Sequence, residues 1–119
     1  MYEPRQNCID YIEMPSRDLA ATKRFFGALF GWRFQDYGPD YAAFDDGRLA
    51  GGFFAADESW TSAARCPLVV FHSSELEMSR ADVVRLGGTV TKEIFEFPGG
   101  RRFHFSAPGS GEFAVWSAS

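Results

Sequence analysis

The order of helix-like and strand-like segments in this chain occurs twice, and this repeat constrains the fold more than any single motif. An alternating apolar and polar segment is followed by one with helical spacing and then by three short strand-like segments between glycine-rich turns. The same order begins again near residue 67, and an offset of 57 residues aligns Tyr11 with Leu68. The sequence therefore predicts an α+β fold of two βαβββ repeats, at about residues 8–54 and 67–117.

The chain length places both repeats in one domain. A chain of 119 residues supplies a single core, so the predicted domain covers residues 1–119. Two such units can form a curved mixed sheet around a cleft, with the helices on the outside, and clefts of this kind bind small ligands. Aromatic residues make up 17% of the chain. We therefore expect some of these rings to line the cleft or a subunit interface.

Several local signals predict where segments begin, end or approach one another. Ser16 and Asp18 are two possible N-caps before the helical segment 19–30, and Gly31 follows this segment, as expected for a C-terminal glycine. In the second repeat, Ser74 and Glu77 have the spacing of a capping box. The pair at 51–52 is Gly-Gly within a strand, which predicts a close approach by another backbone or a ligand.

Charge and cysteine content exclude several classes of protein. The net charge is −4, and there is no basic stripe of the kind that binds nucleic acid. Arg101 and Arg102 are adjacent but isolated, and we assign them to a solvated turn. No apolar run is long enough to span a membrane, and no signal segment is recognised, so we expect a cytoplasmic protein. Cys8 and Cys66 form no metal or redox motif, and we interpret them as buried thiols.

Residues in both repeats resemble a known family. Residues 9–19, 23–26 and 29–32 are similar to the vicinal oxygen chelate superfamily, which includes glyoxalases, bleomycin resistance proteins and extradiol dioxygenases. Residues 102–112 resemble its phenylalanine-rich strand and DPxGN turn, although Ala107 replaces the aspartate. The resemblance covers nearly the whole chain and implies the doubled βαβββ fold. It says much less about activity, because one fold carries many chemistries.

The resemblance also implies where a metal would be bound. Family enzymes hold a divalent metal with His, Gln or Glu side chains from the first and last strands of each unit. These positions correspond here to Tyr11, Leu68, Ala114, and Gly52 or Phe53. None of these residues is a good ligand for such a metal, which prefers imidazole or carboxylate. We therefore predict no metal and no other cofactor.

A displaced metal site remains an alternative. Glu13, His104 and Glu112 have suitable ligand types, although their spacing does not require a site. Glu13 lies two residues after Tyr11 and is also the candidate general base. The sequence leaves open whether any reaction is catalysed.

Three functions are compatible with the sequence. The first is metal-free binding of a small aromatic or cationic molecule in the cleft. The second is a metal-dependent lyase, isomerase or dioxygenase with displaced ligands. The third is a non-enzymatic partner or regulatory module whose aromatic residues form an interface. By resemblance we also predict a homodimer. The candidate ligand-binding residues are Tyr11, Glu13, Phe53, Trp60, Leu68, His104, Glu112, Ala114 and Trp116.

Overall fold

The computed structural model describes residues 6–7, 9–57 and 66–119. The first unit contains, in order, β1 (Tyr11–Ser16), α1 (Leu19–Phe30), β2 (Arg33–Asp36), β3 (Tyr41–Asp45) and β4 (Ala50–Ala55). The second unit contains β5 (Val69–His72), α2 (Leu76–Arg85), β6 (Thr89–Phe97), β7 (Gly100–Ser106) and β8 (Glu112–Ser117). The predicted α+β class and doubled βαβββ order are confirmed.

Each unit builds one four-stranded mixed sheet. The strand orders are β1-β4-β3-β2 and β5-β8-β7-β6. In both sheets the first strand pairs parallel with the last strand, and the other pairs are antiparallel. A parallel pair needs a crossover connection, which α1 or α2 begins. Each helix covers one face of its own sheet. We call the opposite face, which neither α1 nor α2 covers, the open face.

An aromatic core joins the two units on their helix-covered sides. Phe26 of α1 is fully buried, and its ring centroid lies 5.8 Å from that of Phe53 in β4 and 5.2 Å from that of Phe113 in β8. Trp32 stacks on Phe26 at 4.6 Å and on Phe44 at 4.5 Å. Much of the aromatic excess therefore fills the core.

No helix in the described part of the chain is long and apolar enough to span a membrane.

The turn between β7 and β8 packs against the start of the first unit. The Thr22 hydroxyl donates to the carbonyl of Pro108 at 2.9 Å, and the Ser110 hydroxyl donates to that of Pro15 at 3.1 Å. Gly109 has a φ of 74°, and a Cβ there would collide with Asp18. This turn therefore fixes the position of one unit against the other.

Helix α1 has the predicted ends. The Asp18 side chain accepts from the backbone N–H of Ala21 at 3.1 Å, and Gly31 closes the helix at a φ of 73°. A left-handed residue satisfies the last carbonyls at little cost when it is glycine. The helix therefore begins and ends where the sequence predicts.

The predicted capping box of α2 is wrong. The helix begins at Leu76, and the N-cap residue Glu75 makes no side-chain capping bond. The Ser73 hydroxyl instead accepts from the N–H of Glu75 at 3.0 Å. The Glu77 carboxylate does not reach back to Ser74, because it forms an ion pair with Arg101 of β7 at 2.5 Å. A partner on the neighbouring strand has replaced the local contact.

Candidate functional site

The open face of the first sheet carries a chain of hydroxyl groups that ends on a carboxylate. Tyr11 and Glu13 alternate onto this face from β1, as their spacing predicts, and Tyr41 reaches them from β3 across β4. The hydroxyl oxygens of Tyr11 and Tyr41 are 2.6 Å apart, and the Tyr41 hydroxyl donates to Glu13 Oε2 at 2.8 Å. We call these three residues the tyrosine–glutamate network.

The two glycines of β4 make this network possible. Gly52 lies under Tyr41, and a Cβ at Gly52 would overlap the hydroxyl and ring of that tyrosine. Gly51 faces the other side, where a Cβ would overlap the Phe44 ring and the carbonyl oxygen of Ile12. The sequence predicts an approach by a backbone or ligand at these glycines. The structure brings side chains of the neighbouring strand β3 against both.

The Tyr41 proton is strongly held. Burial, followed by the hydrogen bonds with Tyr11 and Glu13, raises the pKa of Tyr41 far above its usual range. The phenol stays neutral, and its single proton is donated to Glu13. The Tyr11 hydroxyl must then donate to Tyr41, because that oxygen has no second proton to give. Tyr11 is 42% exposed and Phe54, on the same face, is 39% exposed, so solvent and ligands can reach this end of the network.

The open face of the second sheet holds a buried histidine–carboxylate pair. His104 of β7 and Glu112 of β8 are only 5% and 8% exposed. Their Nδ1 and Oε2 atoms are 3.4 Å apart, and the Thr91 hydroxyl of β6 donates to the same Oε2 at 2.9 Å. These two candidate residues, which are 8 positions apart in the sequence, are therefore in contact.

His104 is held in its neutral form. Burial is the largest cause of the lowered pKa of His104, and it outweighs the hydrogen bond to Glu112, which acts in the opposite direction. The positive charges of Arg102 and Lys92 lower this pKa further. At neutral pH the His104 side chain is therefore a neutral imidazole and not an imidazolium.

Cations and aromatic rings surround this pair. The Arg102 guanidinium carbon lies 5.3 Å from the ring centroid of Phe95 and 5.4 Å from that of Phe97. Lys92 Nζ lies 4.4 Å from the Phe95 centroid, and Trp116 contacts Phe97 edge to face at 6.3 Å. The distances of Arg102 and Lys92 from these rings are typical of cation–π interactions. The assignment of Arg101 and Arg102 to a solvated turn is wrong, because both lie in β7, on opposite faces.

The remaining predicted site residues have different positions. Phe53 is fully buried on the helix-covered side, where it packs on Phe26, so a ligand on the open face does not reach it. Leu68 is half-buried just before β5. Ala114 is fully buried and pairs with His104. Two residues named from the sequence, Trp60 and Cys8, lie outside the described residues. Cys66 is exposed, so its interpretation as a buried thiol is wrong.

The displaced metal set is not brought together within this chain. Glu13 belongs to the tyrosine–glutamate network of the first sheet, whereas His104 and Glu112 lie on the second. In residues 6–7, 9–57 and 66–119, no three His, Cys, Asp or Glu side chains form a group that could hold a metal ion.

The residues at the family's metal positions do not fit a metal. The Tyr11 hydroxyl is bonded to Tyr41, and Gly52 is covered by the same ring. Leu68 and Ala114 offer no ligand atom in their side chains.

Sequence reasoning missed four residues of the open faces. Tyr41 and Arg102 each reach across or along a sheet to the centre of an open face, and Thr91 and Phe95 come from the irregular strand β6. The adjacent glycines could have indicated Tyr41, because a strand position without a side chain leaves room for a large side chain from the neighbouring strand. Residues on β6 gave no such signal, since its register shifts twice, between Val90 and Lys92 and again before Phe95.

Comparisons with known proteins identify the family. Residues 8–114 match the sequence profile described as the glyoxalase/bleomycin resistance protein/dioxygenase superfamily. No curated protein sequence gives a match.

Solved structures share the fold at low sequence identity. A glyoxalase/bleomycin resistance protein/dioxygenase family enzyme from Burkholderia phytofirmans is 17% identical, with 92% of this chain and 98% of that chain covered and a TM-score of 0.77. The fosfomycin resistance protein FosX from Mesorhizobium loti is 14% identical over 97% and 95%, with a TM-score of 0.74. A FosX mutant from Listeria monocytogenes, complexed with Mn(II) and 1S,2S-dihydroxypropylphosphonic acid, is 16% identical over 97% and 93%, with a TM-score of 0.77. The profile match spans most of the chain and agrees with the doubled βαβββ fold, so this protein belongs to the glyoxalase/bleomycin resistance protein/dioxygenase superfamily.

Proposed function

We propose that the protein binds a small aromatic or cationic molecule on the open face of the first sheet. The observation that carries this proposal is the Glu13 carboxylate, which is exposed and held by the Tyr41 hydroxyl at 2.8 Å. The exposed rings of Tyr11 and Phe54 border it. A carboxylate beside aromatic ring faces attracts an organic cation through charge and through the ring quadrupole.

The tyrosine–glutamate network supports this site in a second way. Tyr41 fixes one carboxylate oxygen of Glu13, which reduces the side-chain entropy that a ligand would otherwise have to remove. The carboxylate is thus oriented before the ligand arrives. We propose Tyr11, Glu13 and Tyr41 as the residues of this site, with Glu13 as the charge that selects the ligand.

The test uses benzyltrimethylammonium, which has both an aromatic ring and a fixed positive charge. Tetramethylammonium lacks the ring and benzyl alcohol lacks the charge. We expect titration calorimetry to give a dissociation constant on the order of 1 mM for benzyltrimethylammonium and weaker binding of the other two. Glu13→Gln should weaken binding about tenfold, since the attraction between two opposite charges at about 4 Å is about 1–4 kcal/mol near a protein surface.

The matched control is Glu96→Gln, which neutralises an exposed glutamate of strand β6 in the other unit. It should leave the affinity unchanged. Equal weakening by Glu13→Gln and Glu96→Gln would show that net charge alone attracts the cation. That result, or the absence of binding to the wild type, would contradict the proposal.

A metal-dependent lyase, isomerase or dioxygenase with displaced ligands is the second candidate. The contact between His104 and Glu112 favours it, because these are ligand types for a divalent metal. The measurement is the metal content of protein purified without a histidine tag. A stoichiometric divalent ion that disappears in Glu112→Gln would favour the second candidate and contradict metal-free binding.

We also propose a homodimer. The edge strands β1 and β5 carry or adjoin exposed apolar residues, including Ile9 at 76% and Val70 at 42% exposure. Exposed apolar residues along sheet edges are suited to subunit contacts. Light scattering should give twice the mass of the chain, and a monomer at micromolar concentration would contradict this. If the protein dimerises and no small molecule raises its melting temperature, a non-enzymatic interaction module becomes the favoured function.

A further inference from the structure

Two buried nitrogen atoms without a hydrogen-bond partner lie on one face of strand β7. In the described part of the chain, Arg102 Nε and His104 Nε2 are the buried side-chain polar atoms that have no partner. A buried polar group without a partner costs about 1–3 kcal/mol, so such groups are rare and require an explanation. Two of them, two residues apart on the same strand face, indicate that a ligand supplies the missing partners.

The chemistry required at His104 follows from its neighbours. The Glu112 carboxylate already accepts from Thr91, and it can only accept from His104 as well. We therefore assign the proton of the neutral imidazole to Nδ1, which leaves a lone pair on Nε2. Nε2 is thus an acceptor and needs a ligand O–H or N–H.

The chemistry required at Arg102 is the opposite. Nε–H of a guanidinium can only donate, and the group is always charged. The two phenylalanines under it hold the guanidinium in place without using any of its N–H groups. No carboxylate lies within ion-pair distance of Arg102 in the described residues, whereas its neighbour Arg101 is paired with Glu77. Arg102 therefore needs an acceptor, and an anionic one suits it best.

We propose that the open face of the second sheet binds an aromatic hydroxy acid, with the carboxylate on Arg102 and the hydroxyl on His104. The two side chains leave β7 about 7 Å apart, which suits adjacent hydroxyl and carboxylate groups of one small molecule. The aromatic ring of the ligand packs among Phe95, Phe97 and Trp116. This site goes beyond the proposed function, because it lies on the other unit and selects a ligand of opposite charge.

Strand β6 provides the access that a buried site needs. The Phe95 ring centroid lies 5.8 Å from that of His104, so this ring covers part of the pair. β6 is an edge strand, and its register with β7 shifts between Lys92 and Phe95. Bulges in edge strands redirect side chains and interrupt pairing. In the proposed complex the Phe95 side chain moves aside to admit the ligand, and the irregular pairing beside it makes this displacement less costly than in a regular central strand.

The test compares mandelate with two molecules that each lack one group. Phenylacetate lacks the hydroxyl, and benzyl alcohol lacks the carboxylate. We expect mandelate to bind with a dissociation constant on the order of 1 mM and each of the others about tenfold more weakly. Equal binding of mandelate and phenylacetate, or no binding of mandelate, would overturn the proposal.

Variants assign the two contacts. Arg102→Met keeps an apolar side chain over the phenylalanines and should weaken mandelate binding about tenfold, whereas Arg101→Met removes the arginine on the opposite face and should not. His104→Phe should reduce the mandelate-to-phenylacetate preference to about one while keeping the preference for carboxylates. Circular dichroism confirms that each variant is folded. Equal effects of Arg101→Met and Arg102→Met would contradict the assignment.

A spectroscopic measurement is independent of affinity. The ¹⁵N resonances of His104 should show a proton on Nδ1 and none on Nε2 in the free protein, and mandelate should shift the Nε2 resonance. Glu13→Gln should leave both the shift and the mandelate affinity unchanged, so failure of this site is distinguishable from failure of the first. A proton on Nε2 in the free protein would overturn the proposed role of His104.

Discussion

The open faces of the two sheets can be compared position by position, because strands β1, β4 and β3 pair in the register in which β5, β8 and β7 pair. Glu13 of β1 lies opposite Gly52 of β4, and Val70 of β5 lies opposite Ala114 of β8. A small residue is therefore present at the same place in both units. The carboxylates differ, because the first unit carries Glu13 on its first strand, whereas the second carries Glu112 on its last strand. Moving the acid from one strand to the other changes its surroundings completely.

Strands β3 and β7, which pair with the last strand of each sheet, also carry different residues at corresponding positions. Tyr41 pairs with Phe54 in the first sheet as Arg102 pairs with Trp116 in the second. Each extends its side chain over the open face, beside an aromatic residue of the last strand. The first face thus presents an exposed carboxylate held by a phenol, and the second presents a cation beside a buried neutral histidine. The two units therefore share small residues at corresponding positions, but their open faces carry side chains of opposite charge.

The largest difference should appear when each carboxylate is removed. Glu112→Ala leaves the Thr91 hydroxyl and His104 Nδ1 without their acceptor in a buried place, which should lower the free energy of unfolding by about 2–3 kcal/mol. Glu13→Ala removes an exposed acid and should change it by less than about 0.5 kcal/mol. Urea unfolding of both variants measures the difference. Similar losses in the two variants would contradict the contrast between a buried and an exposed acid.

Substitutions at the two glycines of β4 should separate an effect on stability from an effect on the binding site. A Cβ at Gly51 meets the carbonyl oxygen of Ile12, which cannot move without disturbing the sheet, so Gly51→Ala should cost about 2 kcal/mol. A Cβ at Gly52 meets only the end of the Tyr41 side chain, which can rotate away. Gly52→Ala should therefore cost less stability.

The readout for Gly52 is the binding site itself. Displacement of Tyr41 releases Glu13, so Gly52→Ala should weaken benzyltrimethylammonium binding while the protein stays folded. Unchanged affinity together with a loss of stability as large as that of Gly51→Ala would contradict this division of roles.

The fold could be predicted because it depends on local signals that occur twice. The alternation in β1, the helical spacing of residues 19–30 and the caps at Asp18 and Gly31 need no knowledge of tertiary contacts. The capping box failed for the opposite reason, because Glu77 found Arg101 on a strand 24 residues later. A local pattern predicts well only where no distant partner competes for the same side chain.

The open faces could be predicted only in part. Tyr11 and Glu13 share a face by simple alternation, which the sequence shows directly. Phe53 was assigned to the wrong face, because the adjacent glycines of β4 hide the alternation of that strand. The contact between His104 and Glu112 depends on the length of the β7–β8 turn and on the register of the pair, neither of which composition reveals.

The buried histidine should make stability depend on pH in a defined window. Unfolded His104 gains a proton near its usual pKa of about 6.5, whereas the folded residue does so only at lower pH. The unfolded state then holds more protons in this window, so the free energy of unfolding falls as pH drops below about 7. The groups that face the imidazole are Glu112, Arg102 and Lys92.

Comparing the wild type with His104→Phe isolates the contribution of His104 to the pH dependence of stability. As pH falls through this window, the wild type should lose more stability than the variant. At more acidic pH both proteins should lose stability alike, because Arg101 and Arg80 hold the pKa values of Glu77 and Glu93 below their usual range in each. A difference that stays constant across the histidine window would contradict the lowered pKa of His104.

The smallest expected effect concerns the phenol of the first open face. The pKa of Tyr41 is raised far above its usual range by burial and by its bonds to Tyr11 and Glu13, so Tyr41 does not ionise where ordinary tyrosines do, near pH 10. Tyr41→Phe should therefore leave the amplitude of the ultraviolet ionisation step between about pH 9 and 11 unchanged, although one of four tyrosines has been removed. A smaller amplitude in Tyr41→Phe than in the wild type would show that the Tyr41 proton leaves in this range, and the ordered donation from Tyr11 through Tyr41 to Glu13 would then no longer hold.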